Sequence, residues 1–133
     1  MTDLRALTDD ERRQRGFDVM RTLYGTQDPE AAFDSLSERF PGGLADLITD
    51  FCFGDVWTRP ALDRRTRSLL VLGIIAALGL PSPLRTHVKG ALNHGATKEE
   101  VREVFVQVAA YAGVPAAVTA AEVAEEVFKE LEQ

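Results

Sequence analysis

An all-α fold is predicted by three observations. Two tetrads, Thr8-Asp9-Asp10-Glu11 and Thr97-Lys98-Glu99-Glu100, have the spacing of a helix-capping box. Apolar residues recur at three- and four-residue intervals along most of the chain, and no stretch alternates apolar with polar residues as a half-buried strand must. With 133 residues, 45% of them hydrophobic, the chain has the size and apolar content of one domain, built from about seven helices.

The first helix is predicted over about Asp9 to Tyr24, with Phe17, Met20, Leu23 and Tyr24 at helical spacing and Gly25 as its stop. Pro29 opens a second, carrying Phe33, Leu36 and Phe40, which Pro41-Gly42-Gly43 interrupts. A third spans Leu44 to about Asp55, with Leu47, Ile48, Phe51 and Cys52 expected on one apolar face. Trp57-Thr58-Arg59-Pro60 reads as a loop, because the residue before a proline is pushed out of helical geometry. Asp63 is placed to cap a core helix running to about Leu78. Pro81 and Pro83 fall in the loop and first turn of the next helix, whose stripe is Leu84, Val88, Ala91 and Leu92. The second capping box opens a helix through Val101, Val104, Phe105, Val108 and Tyr111 to Gly113. Pro115 begins the last, with Val118, Val123, Val127 and Leu131.

Charge and cysteine content narrow the partners. Fifteen basic against 21 acidic residues leave a net charge of -6, which repels nucleic acid and anionic membranes. Leu69 to Leu80 is uncharged but far short of the roughly 20 residues a spanning helix needs. Apolar nearly all round, it must be covered by the other helices or by a second subunit, and a homo-oligomer is expected. Cys52 is the single cysteine, so no intramolecular disulfide and no Cys-x-x-Cys pair can form, in keeping with a cytoplasmic protein. The first ten residues lack the basic and apolar regions of a secretory signal.

Arg59, Arg64, Arg65 and Arg67 crowd the start of the core helix, where the helix dipole disfavours cations by about 0.3–1 kcal/mol each. An anion offsets that cost, and guanidinium groups suit a carboxylate because they bind it through paired hydrogen bonds. The competing reading is solvated arginines or ion pairs with Asp55, Asp63 and acidic helix ends. His87 lies beside the apolar stripe of its helix, as a neutral core residue or a proton donor near pH 7. His94 sits seven residues on, but two histidines without thiolate or carboxylate ligands at standard spacing make a poor metal site, and none is assigned. Trp57 can wall a pocket or simply pack, and Tyr111 can offer a hydroxyl to a cavity or sit in the core. Cys52, with no basic neighbour, reads as a small buried hydrophobe.

The block Gly54-Asp55-Val56-Trp57-Thr58-Arg59-Pro60-Ala61-Leu62-Asp63-Arg64-Arg65-Thr66-Arg67-Ser68-Leu69 resembles the signature of the carboxymuconolactone decarboxylase family. Leu84-Arg85-Thr86-His87-Val88, Ala91 to Thr97, Glu100 to Val104 and Tyr111 to Ala117 resemble its later blocks in the same order. The resemblance implies an alkylhydroperoxidase-like helical fold assembled in rings, commonly trimers or hexamers. It also implies decarboxylation of 4-carboxymuconolactone to the 3-oxoadipate enol-lactone, with no metal or organic cofactor. The substrate is then a small anionic lactone or keto acid. The site residues implied are Arg59, Arg64 and Arg67, with Arg85 a lesser candidate, as carboxylate anchors, Trp57 and Tyr111 as lining, and His87 as oxyanion or proton donor. Phe53 stands where the family commonly has Trp, Leu80-Pro81-Ser82-Pro83 where it has acidic residues, and His94 where it often has Asn. Those departures keep two alternatives open: isomerisation, dehydration or decarboxylation of another lactone or β-keto acid, and a non-catalytic anion-binding oligomer. The alkylhydroperoxidase branch uses a Cys-x-x-Cys pair just before this histidine, where the present chain has no cysteine.

Overall fold

The computed structural model describes residues 7–133 and is helical throughout, with no strand among the described residues. Two compact units make up the chain, the first ending at Arg64 and the second running Arg65–Gln133.

In the first unit, α1 (Asp9–Tyr24) starts at the predicted capping box. Thr8 Oγ1 accepts from the Glu11 amide at 3.1 Å, and the Glu11 carboxylate accepts from the Thr8 amide at 3.3 Å. Gly25 ends it in the left-handed region at φ 66°. Helix α2 (Pro29–Arg39) begins with proline in its first turn and Asp28 as its cap. Helix α3 is one short turn, Leu44–Asp46, that continues directly as a π-helix over Leu47–Val56. Val19, Met20 and Leu23 of α1 pack in the core with Ala45, Phe53 and Trp57. Fully burying a side chain such as Met20 or Leu23 contributes about 1.5–3 kcal/mol. Edge-to-face contacts link Tyr24 to Phe53 and Phe53 to Trp57, at centroid distances of 5.9 and 6.4 Å. Ion pairs fix the outer faces: Arg12 holds both carboxylate oxygens of Asp55, and Arg13 bridges Asp50 and Asp46 while its guanidinium lies 4.2 Å from the Phe33 ring centre.

The π-helix corrects one expectation. Its wider turn buries Thr49, Phe53 and Gly54 and leaves Leu47 and Phe51 exposed, so the face formed by Leu47, Ile48, Phe51 and Cys52 in an α-helix does not exist as such.

The second unit is built from α4 (Arg64–Leu78, of which Arg64 itself closes the first unit), α5 (Pro81–Asn93), α6 (Lys98–Ala112) and α7 (Val114–Leu131). Both Pro81 and Pro83 lie in the first turn of α5 rather than one in the preceding loop. The capping box at Thr97 and Glu100 starts α6 as predicted. Leu72, Leu84, Val88, Val101, Phe105 and Val127 form the centre of the core. On α7 the buried stripe is Ala117, Ala120, Ala124, Val127 and Phe128, while Val118 and Leu131 are exposed. Alanines rather than valines therefore set most of the packing face of α7, bringing its backbone close to α5 and α6.

Along α4, Leu70, Ile74 and Leu78 recur every fourth residue and are all exposed, so the other helices of the second unit leave this side of α4 uncovered. Tyr111 is 87% exposed, so of its two readings, a hydroxyl offered to a cavity or core packing, the second does not hold.

Candidate active site

Within the first unit, the segment after the π-helix and one face of α1 line an open cavity of about 540 Å³, in the range of small-molecule sites. Trp57, Thr58, Arg59, Leu62 and Arg64 line it from the connecting segment, and Gln14, Arg15 and Asp18 from α1. Trp57 is held by its amide, which donates to the Cys52 carbonyl at 3.0 Å, and its buried ring gives a rigid apolar wall. Arg59 is exposed on the rim, its amide donating to the Val56 carbonyl at 3.1 Å. Arg64 is committed: Nη2 donates to Asp18 Oδ2 at 2.7 Å and Nη1 to Thr22 Oγ1 at 3.1 Å. Arg15 donates from Nε and Nη2 to Thr58 Oγ1 at 3.3 and 3.0 Å, and that hydroxyl donates to the Gly54 carbonyl.

Of the residues picked out by sequence, Trp57, Arg59 and Arg64 thus meet at one cavity. Arg67, Arg85, His87 and Tyr111 belong to the second unit. Arg67 is buried in the first turn of α4. Arg85 is engaged by two glutamates of α7, Glu126 at 2.7 Å and Glu130 at 2.7 and 2.8 Å, and the hydrogen bonds it donates to Glu130 raise its pKa further. Its charge is spent in joining α5 to α7. Arg65 pairs with Glu100.

His87 is half-buried on α5, and desolvation lowers its pKa below the ordinary value, so the imidazole is neutral at pH 7. A neutral imidazole can donate one hydrogen bond to a developing oxyanion, whereas proton delivery by an imidazolium needs the charged form that burial disfavours. Burial likewise pushes the Cys52 thiol up despite its hydrogen bond with Trp57, leaving it protonated and poorly nucleophilic. Among the described residues no three His, Cys, Asp or Glu side chains converge as metal ligands, and no helix is long and apolar enough to cross a membrane.

Two features were not singled out from the sequence. Ser68, fully buried in the first turn of α4, has its Oγ 2.7 Å from Nδ1 of His94 at the end of α5. Gln14, Arg15 and Asp18 form one polar face of α1, and that i, i+1, i+4 pattern is visible in the sequence. Its partners after the π-helix are not, because they come from about forty residues further on, at |i−j| of 43 for Arg15 and Thr58.

The profile of the carboxymuconolactone decarboxylase family matches residues 42–126. A 4-carboxymuconolactone decarboxylase of Acinetobacter baylyi is 36% identical over 125 residues, covering 94% of this chain and 92% of the relative. A nitrosuccinic acid decarboxylase of Metarhizium robertsii is 35% identical over 128 residues, covering 93% and 89%. An uncharacterized 15.0 kDa protein of Paracoccus denitrificans is 40% identical over 119 residues, covering 81% and 88%.

Proposed function

Because the chain belongs to the carboxymuconolactone decarboxylase family, we propose that this carboxy-lyase converts 4-carboxymuconolactone to the 3-oxoadipate enol-lactone and CO2. The observation that carries the reading is near full-length similarity to a 4-carboxymuconolactone decarboxylase in a chain whose Trp57–Arg64 cavity offers a flat apolar wall and cations. The departing carboxylate leaves a carbon conjugated through a C=C bond to the lactone carbonyl, so the electron pair delocalises onto that oxygen as a dienolate. The lactone is its own electron sink, and the reaction needs no metal or organic cofactor.

The protein's part is then to hold the acidic arms, stabilise the dienolate oxygen and direct protonation at carbon. Arg59 is the first anchor, because it lies on the cavity rim and suits a carboxylate. Arg64 contributes less, since Asp18 already occupies its fork. His87, which belongs to the second unit and is neutral at pH 7, is the oxyanion donor that the family resemblance proposes, a role that a neutral imidazole N–H can fill. The family match crosses the boundary between the two units, which supports the whole chain acting as one functional domain. Exposed Leu70, Ile74 and Leu78 on α4 favour a homo-oligomer, trimeric or hexameric, in which this stripe is covered. The single cysteine suits the cytoplasm.

The nearly equal identity to the nitrosuccinic acid decarboxylase favours a second reading, decarboxylation of another small acid at the same site. Purified protein is assayed for CO2 release from both 4-carboxymuconolactone and nitrosuccinic acid. Turnover of the lactone that collapses in Arg59→Ala supports the first reading. An intact lactone with nitrosuccinic acid consumed replaces it with the second.

A further inference from the structure

The cavity in the first unit holds one cation whose surroundings differ from those of its neighbours. Arg12, Arg13 and Arg64 each meet an aspartate through charge-assisted hydrogen bonds. Arg15 is also on α1 and half-buried, yet among the described residues it meets no carboxylate. Its only acceptor among the described residues is the Thr58 hydroxyl. A hydroxyl is a neutral acceptor and offsets a guanidinium's charge far less than a carboxylate does. Two of its nitrogens converge on that single oxygen, while Nη1 donates to no described residue. The side chain is therefore oriented but not neutralised, and it lines the same cavity as Arg59.

We infer that Arg15, oriented by Thr58, is the anchor for a second carboxylate, so that the cavity selects dicarboxylic over monocarboxylic ligands. The inference rests on the reading of this cavity as the substrate site. Thr58 is the positioning residue: it donates to the Gly54 carbonyl and accepts from Arg15, which holds the guanidinium against the wall before a ligand arrives. Three arginines and two aspartates line the cavity, and the Arg64–Asp18 pair cancels internally, so Arg15, Arg59 and Asp63 leave the lining with a net positive charge that attracts anions.

The test is calorimetric titration of the full chain with two unreactive four-carbon probes, maleate and crotonate, which differ by one carboxylate. Wild-type protein is expected to bind maleate at least about tenfold more tightly, the gain of one charge-assisted bidentate contact. Arg15→Gln is expected to abolish that preference while changing crotonate affinity by no more than about twofold. Arg15→Lys restores it only partly, because an ammonium lacks the planar fork. Thr58→Val lowers the preference without removing it. Helical melting curves of the variants confirm that they fold. An unchanged maleate-to-crotonate ratio in Arg15→Gln, or no preference in the wild type, overturns the inference. If the Arg15-dependent preference is present but neither 4-carboxymuconolactone nor nitrosuccinic acid is consumed, the proposed reaction falls and the anchor stands.

Discussion

Gly16 and the Thr49 carbonyl lie so close that a Cβ on Gly16 would come within 2.1 Å of the oxygen. The relation is matched further along the same pair of helices, where a Cβ on Gly54 would lie 2.5 Å from the Arg12 carbonyl. These are backbone atoms and cannot rotate away, so α1 and the π-helix approach as closely as glycine allows. Gly16→Ala must push the two apart, at a cost of about 3 kcal/mol or more. A large fall in Tm is expected. Gly73→Ala is the contrast, because its Cβ would meet only Val104 Cγ1 at an ordinary 3.7 Å. Within helix α4 it should stabilise by about 0.5–1 kcal/mol.

Arg59 is the cation of the cavity rim that the proposed reaction depends on most. Losing a charge-assisted contact worth about 1.5–3 kcal/mol should lower kcat/KM of Arg59→Ala by about 10- to 150-fold. Steady-state CO2 release measures this, and a variant with wild-type kinetics removes Arg59 from the site.

Burial of His87 makes stability depend on pH in a definite direction. Its folded pKa lies below the unfolded value of about 6.5, so above that pH both states are neutral and the folded state is at full stability. As pH falls below about 6.5 the unfolded chain takes up a proton that the folded chain resists, and stability declines until the folded pKa is passed. Urea unfolding at pH 8 and pH 5.5 should show this decline in the wild type and a smaller one in His87→Gln. The same shift predicts that kcat does not fall as pH is lowered from 7.5 to about 6.5, since the neutral imidazole persists there.

Arg85, though part of the Leu84 to Val88 block, is tied to Glu126 and Glu130. Arg85→Ala should therefore keep wild-type turnover. If kcat/KM falls with the melting curve unchanged, the arginine has a role in catalysis that its ion pairs do not reveal.

The helices were legible because their signals are local. The Thr8 and Thr97 capping boxes, the proline at the start of α2 and Gly25 each act within a few residues, and each lies where the sequence puts it. Trp57, Arg59 and Arg64 were legible as a group because a short connecting segment carries all three. What could not be read needed contacts between distant segments. The Arg64–Asp18 pair, the Arg85 ties to α7 and the Ser68–His94 hydrogen bond depend on how helices pack, at separations of 26 to 46 residues. The buried face of α7 was not legible for a related reason, since close helix packing places Ala117, Ala120 and Ala124 there beside Val127 and Phe128.

The π-helical stretch acts as a phase setter for the connecting segment that follows it in the first unit. An ordinary α-helix advances about 100° per residue, so removing one residue between Leu47 and Val56 and letting the segment relax would turn its end by about that angle. Trp57 would rotate out of the core, and with it the start of the segment that carries Thr58 and Arg59. The apolar wall of Trp57 and the rim cation Arg59 are therefore aimed by the π-helical stretch just upstream of them. A one-residue deletion there should abolish ligand binding even if the chain still melts as a folded helical protein.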